Sequence, residues 1–194
     1  MSPRPFIVGI GGTTRPGSTS EKALAVALAF AESEGCETQV FGSADMPGET
    51  YDPTLPARSD RALALVAAVR RADGLIIATP SYHGGVSGLV KNAIDFIEDM
   101  RDDERVYLEG RAVGCIVCAD GAQAMGTTMM ALRAIVHALR GWPTPYGATL
   151  QSSARPFGGD GVAADPAALA ACETVGREVV QFARMARVAA QADG

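Results

Sequence analysis

The stretch Phe6-Ile7-Val8-Gly9-Ile10-Gly11-Gly12-Thr13-Thr14-Arg15-Pro16-Gly17-Ser18-Thr19-Ser20 decides the fold. Phe6 to Ile10 is a short apolar run with two β-branched types, and it reads as a buried strand. Gly11 and Gly12 let the chain turn tightly at its end. From Glu21 to Glu34, Leu24, Ala27, Leu28 and Ala31 recur at helical spacing, so a helix begins where the loop stops. A strand, a glycine- and hydroxyl-rich loop and a helix, in that order, open a βαβ unit. The loop of such a unit lies at the carboxyl end of its strand.

Working outward, the same alternation continues. Glu37 to Phe41 is a weaker strand, and Gly42 to Arg58, rich in Gly, Pro, Asp and Thr, is a long loop. Ser59 to Ala72 is a helix. Gly74 to Thr79 is continuously apolar, as a central parallel strand buried on both faces requires. Ser87 to Met100 is a helix with Leu89, Val90, Ala93, Ile94 and Ile97 on one stripe. A charged connection, Arg101 to Glu109, leads to a strand at Ala112 to Cys118. A helix from Gly126 to Arg140 and a short strand from Gly147 to Gln151 follow. Asp165 caps and Pro166 starts a last helix that runs to about Ala190. This order predicts an α/β fold, a parallel sheet with helices on both faces, in one domain over residues 1–194. Ligands of such sheets bind beyond the carboxyl ends of the strands, where the strand order reverses. The loops after Ile10, Thr79 and Cys118 are the ones to inspect.

The first loop has the chemistry of an anion site. Thr13, Thr14, Ser18, Thr19 and Ser20 carry hydroxyls, Arg15 adds a fixed cation, and the helix N-terminus adds free N–H groups. Two other phosphate loops fail. The pattern GxxxxGK[ST] nearly fits Gly12 to Thr19, but Ser18 stands where the lysine belongs. The dinucleotide pattern GxGxxG starts at Gly9 and Gly11 but meets Thr14 at its third glycine. Strand two then ends in Val40-Phe41-Gly42-Ser43, with no acid for a ribose. A monophosphate fits better than either. Ser18-Thr19-Ser20-Glu21 is also a capping box, which accounts for Ser18 and Glu21 without a ligand but leaves Arg15 unexplained.

The loop after strand three reads Thr79-Pro80-Ser81-Tyr82-His83-Gly84-Gly85-Val86-Ser87-Gly88. Paired glycines admit a flat ligand to the backbone, and Tyr82 can cover an aromatic face. His83 is a lone loop histidine with no paired carboxylate and no second histidine beside it, so neither a metal site nor an obligatory general acid or base is expected. No GxSxG elbow supports a hydrolytic triad.

Composition narrows the classes. Apolar residues at 47% and charged residues at 20% describe a globular chain, and a net charge of −5 gives no basic field for nucleic acid. There is no apolar run of about 18 residues, so no membrane helix is expected. The run Phe6 to Ile10 is too brief for a signal-peptide core and no cleavage site follows it, so a cytoplasmic protein is expected. Four cysteines, Cys36, Cys115, Cys118 and Cys172, are scattered along the chain. Cys115 and Cys118 have CxxC spacing, but i and i+3 of a strand face opposite ways, so they read as core residues.

The two loops together resemble the NADPH-dependent FMN reductases. That family's first loop, G-S-x-R-x-x-S, corresponds to Gly12-Thr13-Thr14-Arg15-Pro16-Gly17-Ser18, with threonine for the first serine. Its second signature, P-x-Y-x-G followed by L-K-N-x-I-D, corresponds to Pro80-Ser81-Tyr82-His83-Gly84 and Leu89-Val90-Lys91-Asn92-Ala93-Ile94-Asp95, with Val90 as an extra residue. The resemblance implies a flavodoxin-like three-layer sandwich with a five-stranded parallel sheet. It implies FMN as cofactor and NADPH, with NADH as the alternative, as hydride donor to the flavin N5. Thr13, Arg15, Ser18, Thr19 and Ser20 would take the phosphate, and Pro80, Ser81, Tyr82, His83 and Gly84 would border the ring. Asp120 and Gly121 come from a third loop, which has fewer glycines than the family's. The resemblance further implies a small-molecule electron acceptor, a homodimer or homotetramer built partly on the Leu89 to Ile97 helix, and a monooxygenase as a potential partner for reduced flavin. No basic cluster in the sequence stands out as a reader of the NADPH 2′-phosphate. The competing readings are a non-enzymatic electron carrier like flavodoxin and a flavin-free module on the same fold.

Overall fold

The structure, a computed structural model, describes residues 4–158 and 164–192. Strands β1 (Phe6–Gly11), β2 (Glu37–Phe41), β3 (Gly74–Tyr82), β5 (Ala112–Ala119) and β6 (Trp142–Gln151) are parallel in the order β2-β1-β3-β5-β6. That is the flavodoxin-like order, which reverses between β1 and β3. A short β4 (Gly85–Val86) is added antiparallel to the end of β3. Helices α1 (Thr19–Ser33) and α5 (Pro166–Ala192) cover one face, and α2 (Asp60–Arg71), α3 (Gly88–Asp95) and α4 (Ala122–Ala138) cover the other.

Strand alternation makes two cores from one sheet. Val8, Ile10, Leu75, Ile77, Val113 and Val117 pack under α2, α3 and α4. Ile7, Ile76, Ala78 and Ile116 pack under α1 and α5. Each central strand feeds both layers, which is why it reads as unbroken hydrophobicity rather than alternation. Cys115 belongs to the first core and Cys118 to the second, as their spacing requires.

Several boundaries differ from the sequence expectation. Strand β3 runs on through Pro80 to Tyr82, because the chain turns back as a hairpin: Tyr82 pairs Gly85 across His83 (φ +53) and Gly84 (φ +77). Two positive φ values make the two-residue turn whose twist suits a hairpin. Strand β6 starts at Trp142 rather than Gly147; its register on β5 shifts between Val113 and Cys115, and Pro143 and Pro145 are tolerated because this is an edge strand. Helix α4 starts at Ala122, with Gly121 as its cap, so Gly126 lies inside the helix instead of opening it. The Ser87 to Met100 helix divides: Ser87 caps α3, and Phe96–Met100 tightens into a 3₁₀ turn.

Candidate functional site

The carboxyl ends of β1, β3, β5 and β6 surround one cavity of about 220 Å³. The β1 loop supplies Thr13, Arg15, Ser18, Thr19 and Ser20; β3 supplies Pro80, Ser81 and Tyr82; β5 supplies Cys118, Ala119 and Asp120; and Ser152 follows β6. Nine of the residues expected from sequence therefore share one wall: Thr13, Arg15, Ser18, Thr19, Ser20, Pro80, Ser81, Tyr82 and Asp120. His83 and Gly84 line a separate opening with Gln123, Ala124 and Thr127. Gly121 borders neither and serves as the α4 cap.

The β1 loop is held by its own side chains. A Cβ on Gly11 would collide with the Ala78 carbonyl, and Gly12 takes φ +110, so this turn needs both glycines. Ser18 caps α1, its Oγ accepting from Glu21 N at 3.3 Å, while Glu21 Oε2 accepts from Gly17 N at 2.8 Å. The capping box is real, with its glutamate reaching one residue further back than the usual pattern. Ser18 Oγ and Ser20 Oγ lie 3.3 Å apart, and both residues are buried. Thr13 Oγ1 accepts from Arg15 N at 3.1 Å and donates to Arg15 O at 3.0 Å. Among the described residues, no carboxylate pairs with Arg15, whose side chain is exposed at the cavity.

The β3 loop is fixed from beneath. Thr79, fully buried, donates from Oγ1 to Pro80 O at 2.8 Å and accepts there from Ser87 N at 3.1 Å. Ser81 Oγ lies 2.7 Å from the buried Thr128 Oγ1 and donates to Ala124 O at 3.2 Å, tying the loop to α4. Tyr82 is 57% exposed, so its ring face is free to cover a ligand. The hairpin places a histidine at a left-handed φ, a conformation uncommon outside glycine.

The second signature has a different task. Asn92 Oδ1 accepts from Tyr51 N at 2.9 Å, and its Nδ2 donates to Glu49 O at 2.9 Å, so Asn92 clamps the long 42–58 loop. Lys91 and Asp95 pair with each other at 2.6 Å, one helical turn apart. Tyr51 does not approach the cavity; it packs edge-on against Phe96 at 5.2 Å, under the Arg58 guanidinium at 4.9 Å. Trp142 sits at the opposite end of β6, 6.1 Å from Phe182.

Sequence reasoning did not identify Cys118, Ala119 and Ser152 as cavity residues. The rule that ligands sit beyond carboxyl ends of strands already pointed to Cys118 and Ala119. Ser152 needed β6 to be recognised as a fourth contributor.

The donor set suits a flavin mononucleotide. Hydroxyls, a guanidinium without a carboxylate partner among the described residues and a helix N-terminus meet at the β1/β3 reversal, and an open aromatic face borders the same cavity. Known proteins agree. The iron-sulfur flavoprotein of Archaeoglobus fulgidus is 31% identical over 138 residues, 68% of this chain and 69% of that protein. The FMN-dependent NADPH-azoreductase of Staphylococcus aureus is 29% identical over 114 residues, 56% of this chain and 57% of that protein. The chain thus spans little more than half the length of that azoreductase. The solved structure of RosB with a bound 8-demethyl-8-formylriboflavin-5′-phosphate intermediate superposes with a TM-score of 0.74 at 19% identity, covering 97% of this chain and 86% of that one. A sequence model of one family, described as NADPH-dependent FMN reductase, matches residues 5–154 and so takes in every strand that borders the cavity; the chain belongs to that family.

Proposed function

We propose that FMN lies with its phosphate on Thr13, Arg15, Ser18, Thr19 and Ser20 and its ring beside Pro80, Ser81, Tyr82 and Asp120, with His83, Gly84 and Gly121, which do not line this cavity, beyond the ring's edge. The observation that carries this reading is Arg15, a cation with no carboxylate partner among the described residues, beside a helix N-terminus at the strand-order reversal. Bound FMN supplies two-electron chemistry, taking hydride from a reduced nicotinamide and passing electrons to an acceptor. The protein's part is to bind and orient. Ser18 and Ser20 present hydroxyls from a buried floor, Thr79 and Thr128 lock the β3 loop, and the exposed Tyr82 leaves room for a flat donor. No side chain in the cavity is needed as nucleophile or obligatory acid.

The donor is NADPH, with NADH as the alternative, and the acceptor is a small molecule such as free flavin, a quinone or an azo compound. A homodimer or homotetramer is supported by a cavity of about 470 Å³ between α3 and α4 that includes Ile94, Ile135, Ala138 and Leu139. A cytoplasmic setting is supported by four free, buried thiols. A monooxygenase fed with reduced flavin remains part of this proposal. The test is FMN titration of Arg15→Ala. Loss of a charge-assisted contact weakens FMN about tenfold or more, while riboflavin, which lacks the phosphate, is unaffected. Unchanged FMN affinity would place the phosphate elsewhere.

A further inference from the structure

Beyond the flavin cavity lies a second, more polar one of about 310 Å³. It shares Arg15, Thr19 and Ser152 with the first, and its far side carries Lys22, Arg155 and Phe157. Three cations, Arg15, Lys22 and Arg155, therefore line one cleft. Lys22 Nζ donates to Gly158 O at 2.6 Å, which fixes the ammonium on the wall and, among the described residues, uses one of its three protons. Among the described residues none of the three cations makes an ion pair. Among the described residues that line the cleft there is no acid, and Glu21, next to Lys22 in sequence, accepts from Gly17 N. The overall charge of the chain is −5, so three cations in one cleft, with no ion pair among the described residues, are a local exception to its acidic balance.

Arg155 is placed there by its backbone. It closes the 3₁₀ turn Ser152–Ala154 with φ +50, and its N–H donates to Ser152 O at 3.0 Å. A left-handed non-glycine residue is held against its preference, and here it presents the guanidinium on the cleft.

We propose that this cleft is a second phosphate subsite, and that the chain binds a flavin dinucleotide, FAD, with its distal phosphate between Lys22 and Arg155. The inference rests on the placement of the flavin phosphate at Arg15 and Thr19. Those two residues are shared by both cavities, so a group esterified to that phosphate passes directly into the cleft. FMN ends where the cleft begins. FAD continues with one more phosphate and an adenosine, for which Phe157 forms part of the wall.

The experiment is calorimetric titration of the full chain with FMN and with FAD, for the parent and for Lys22→Gln/Arg155→Gln. Circular dichroism of both proteins verifies the fold. KM values for NADPH and NADH are measured alongside. The expected result is that FAD binds the parent within about tenfold of FMN, and that the double variant weakens FAD by about tenfold or more while FMN changes less than about threefold. The ratio of NADPH to NADH KM values stays fixed. Failure of FAD to bind a protein that binds FMN overturns the subsite alone. Equal weakening of both flavins overturns it too, by making the cleft part of the FMN site. A variant that loses discrimination for NADPH assigns the cleft to the 2′-phosphate instead. A chain that binds neither flavin defeats the flavin reading and the subsite together.

Discussion

Ser18 and Arg15 stand three residues apart and do different work. Ser18 satisfies a free N–H at the start of α1, whereas the Arg15 side chain makes no ion pair among the described residues and is exposed. Ser18→Ala therefore costs about 1 kcal/mol of stability, read as a lower urea midpoint. Arg15→Ala leaves that midpoint unchanged and affects only the ligand. The converse pattern, with Arg15 destabilising and Ser18 neutral, would reverse the division between scaffold and site. Both roles were legible in the sequence, because the capping box and the surplus cation are local signals. Thr79 and Thr128 were not. Thr128 reaches Ser81, 47 residues away, and Thr79 reaches Ser87 only because the hairpin between them turns back, so neither partner is foretold locally.

At the scale of elements, α3 and the 3₁₀ turn that follows it act as a clamp. Asn92 holds Glu49 and Tyr51, and Asp99 receives Arg58 Nε at 2.7 Å and Nη2 at 2.8 Å, so the middle and the last residue of the long loop are fastened to one helical segment. The hydrogen bonds from Arg58 hold the Asp99 carboxyl below the usual carboxylate range. A carboxyl with a lowered folded-state pKa adds stability that is full above the unfolded value, roughly 4, and is lost as pH falls through the folded value. Asp99→Asn is expected to cost about 2 kcal/mol at neutral pH in urea unfolding, with the gap from the parent narrowing steadily below about pH 4. A gap independent of pH would show that the pair does not ionise as described.

Element existence followed from periodicity, and ends were harder to place. The hairpin at His83-Gly84 was hidden because histidine rarely signals a left-handed turn. The start of β6 was hidden by its two prolines, which only its edge position excuses. Arg111 is the sharpest omission. It is fully buried and donates to Ala72 O, Tyr107 O and Arg70 O at 2.7–2.9 Å, closing the carboxyl end of α2. Burial lowers its pKa to about 10, which still leaves it charged at neutral pH. An arginine beside a strand reads as surface; only the assembled layers show that three carbonyls await it.

For the whole molecule, one sheet with two cores leaves no thiol at the surface. Cys36, Cys115, Cys118 and Cys172 are all buried. Burial pushes Cys115 and Cys172 up to about 12, and raises Cys36 and Cys118 as well. Ellman's reagent is thus expected to find no reactive thiol in the native protein and all four after unfolding in guanidinium. A fast native reaction at Cys118, which borders the flavin cavity, would mean that the β5 end opens to solvent.

The same architecture brings four strand ends to one cavity and leaves the opposite end of the sheet to residues such as Trp142 and Phe182. On the proposed function, the oxidoreductase chemistry sits at the β1/β3 reversal, with the protein orienting donor and flavin. The most direct test of that account is rapid anaerobic mixing of the FMN-loaded chain with NADPH, following the yellow absorbance of the flavin. The account predicts bleaching within seconds, with the colour restored when a quinone or free flavin is added. Flavin that stays bound and yellow in the presence of NADPH and of NADH would contradict it.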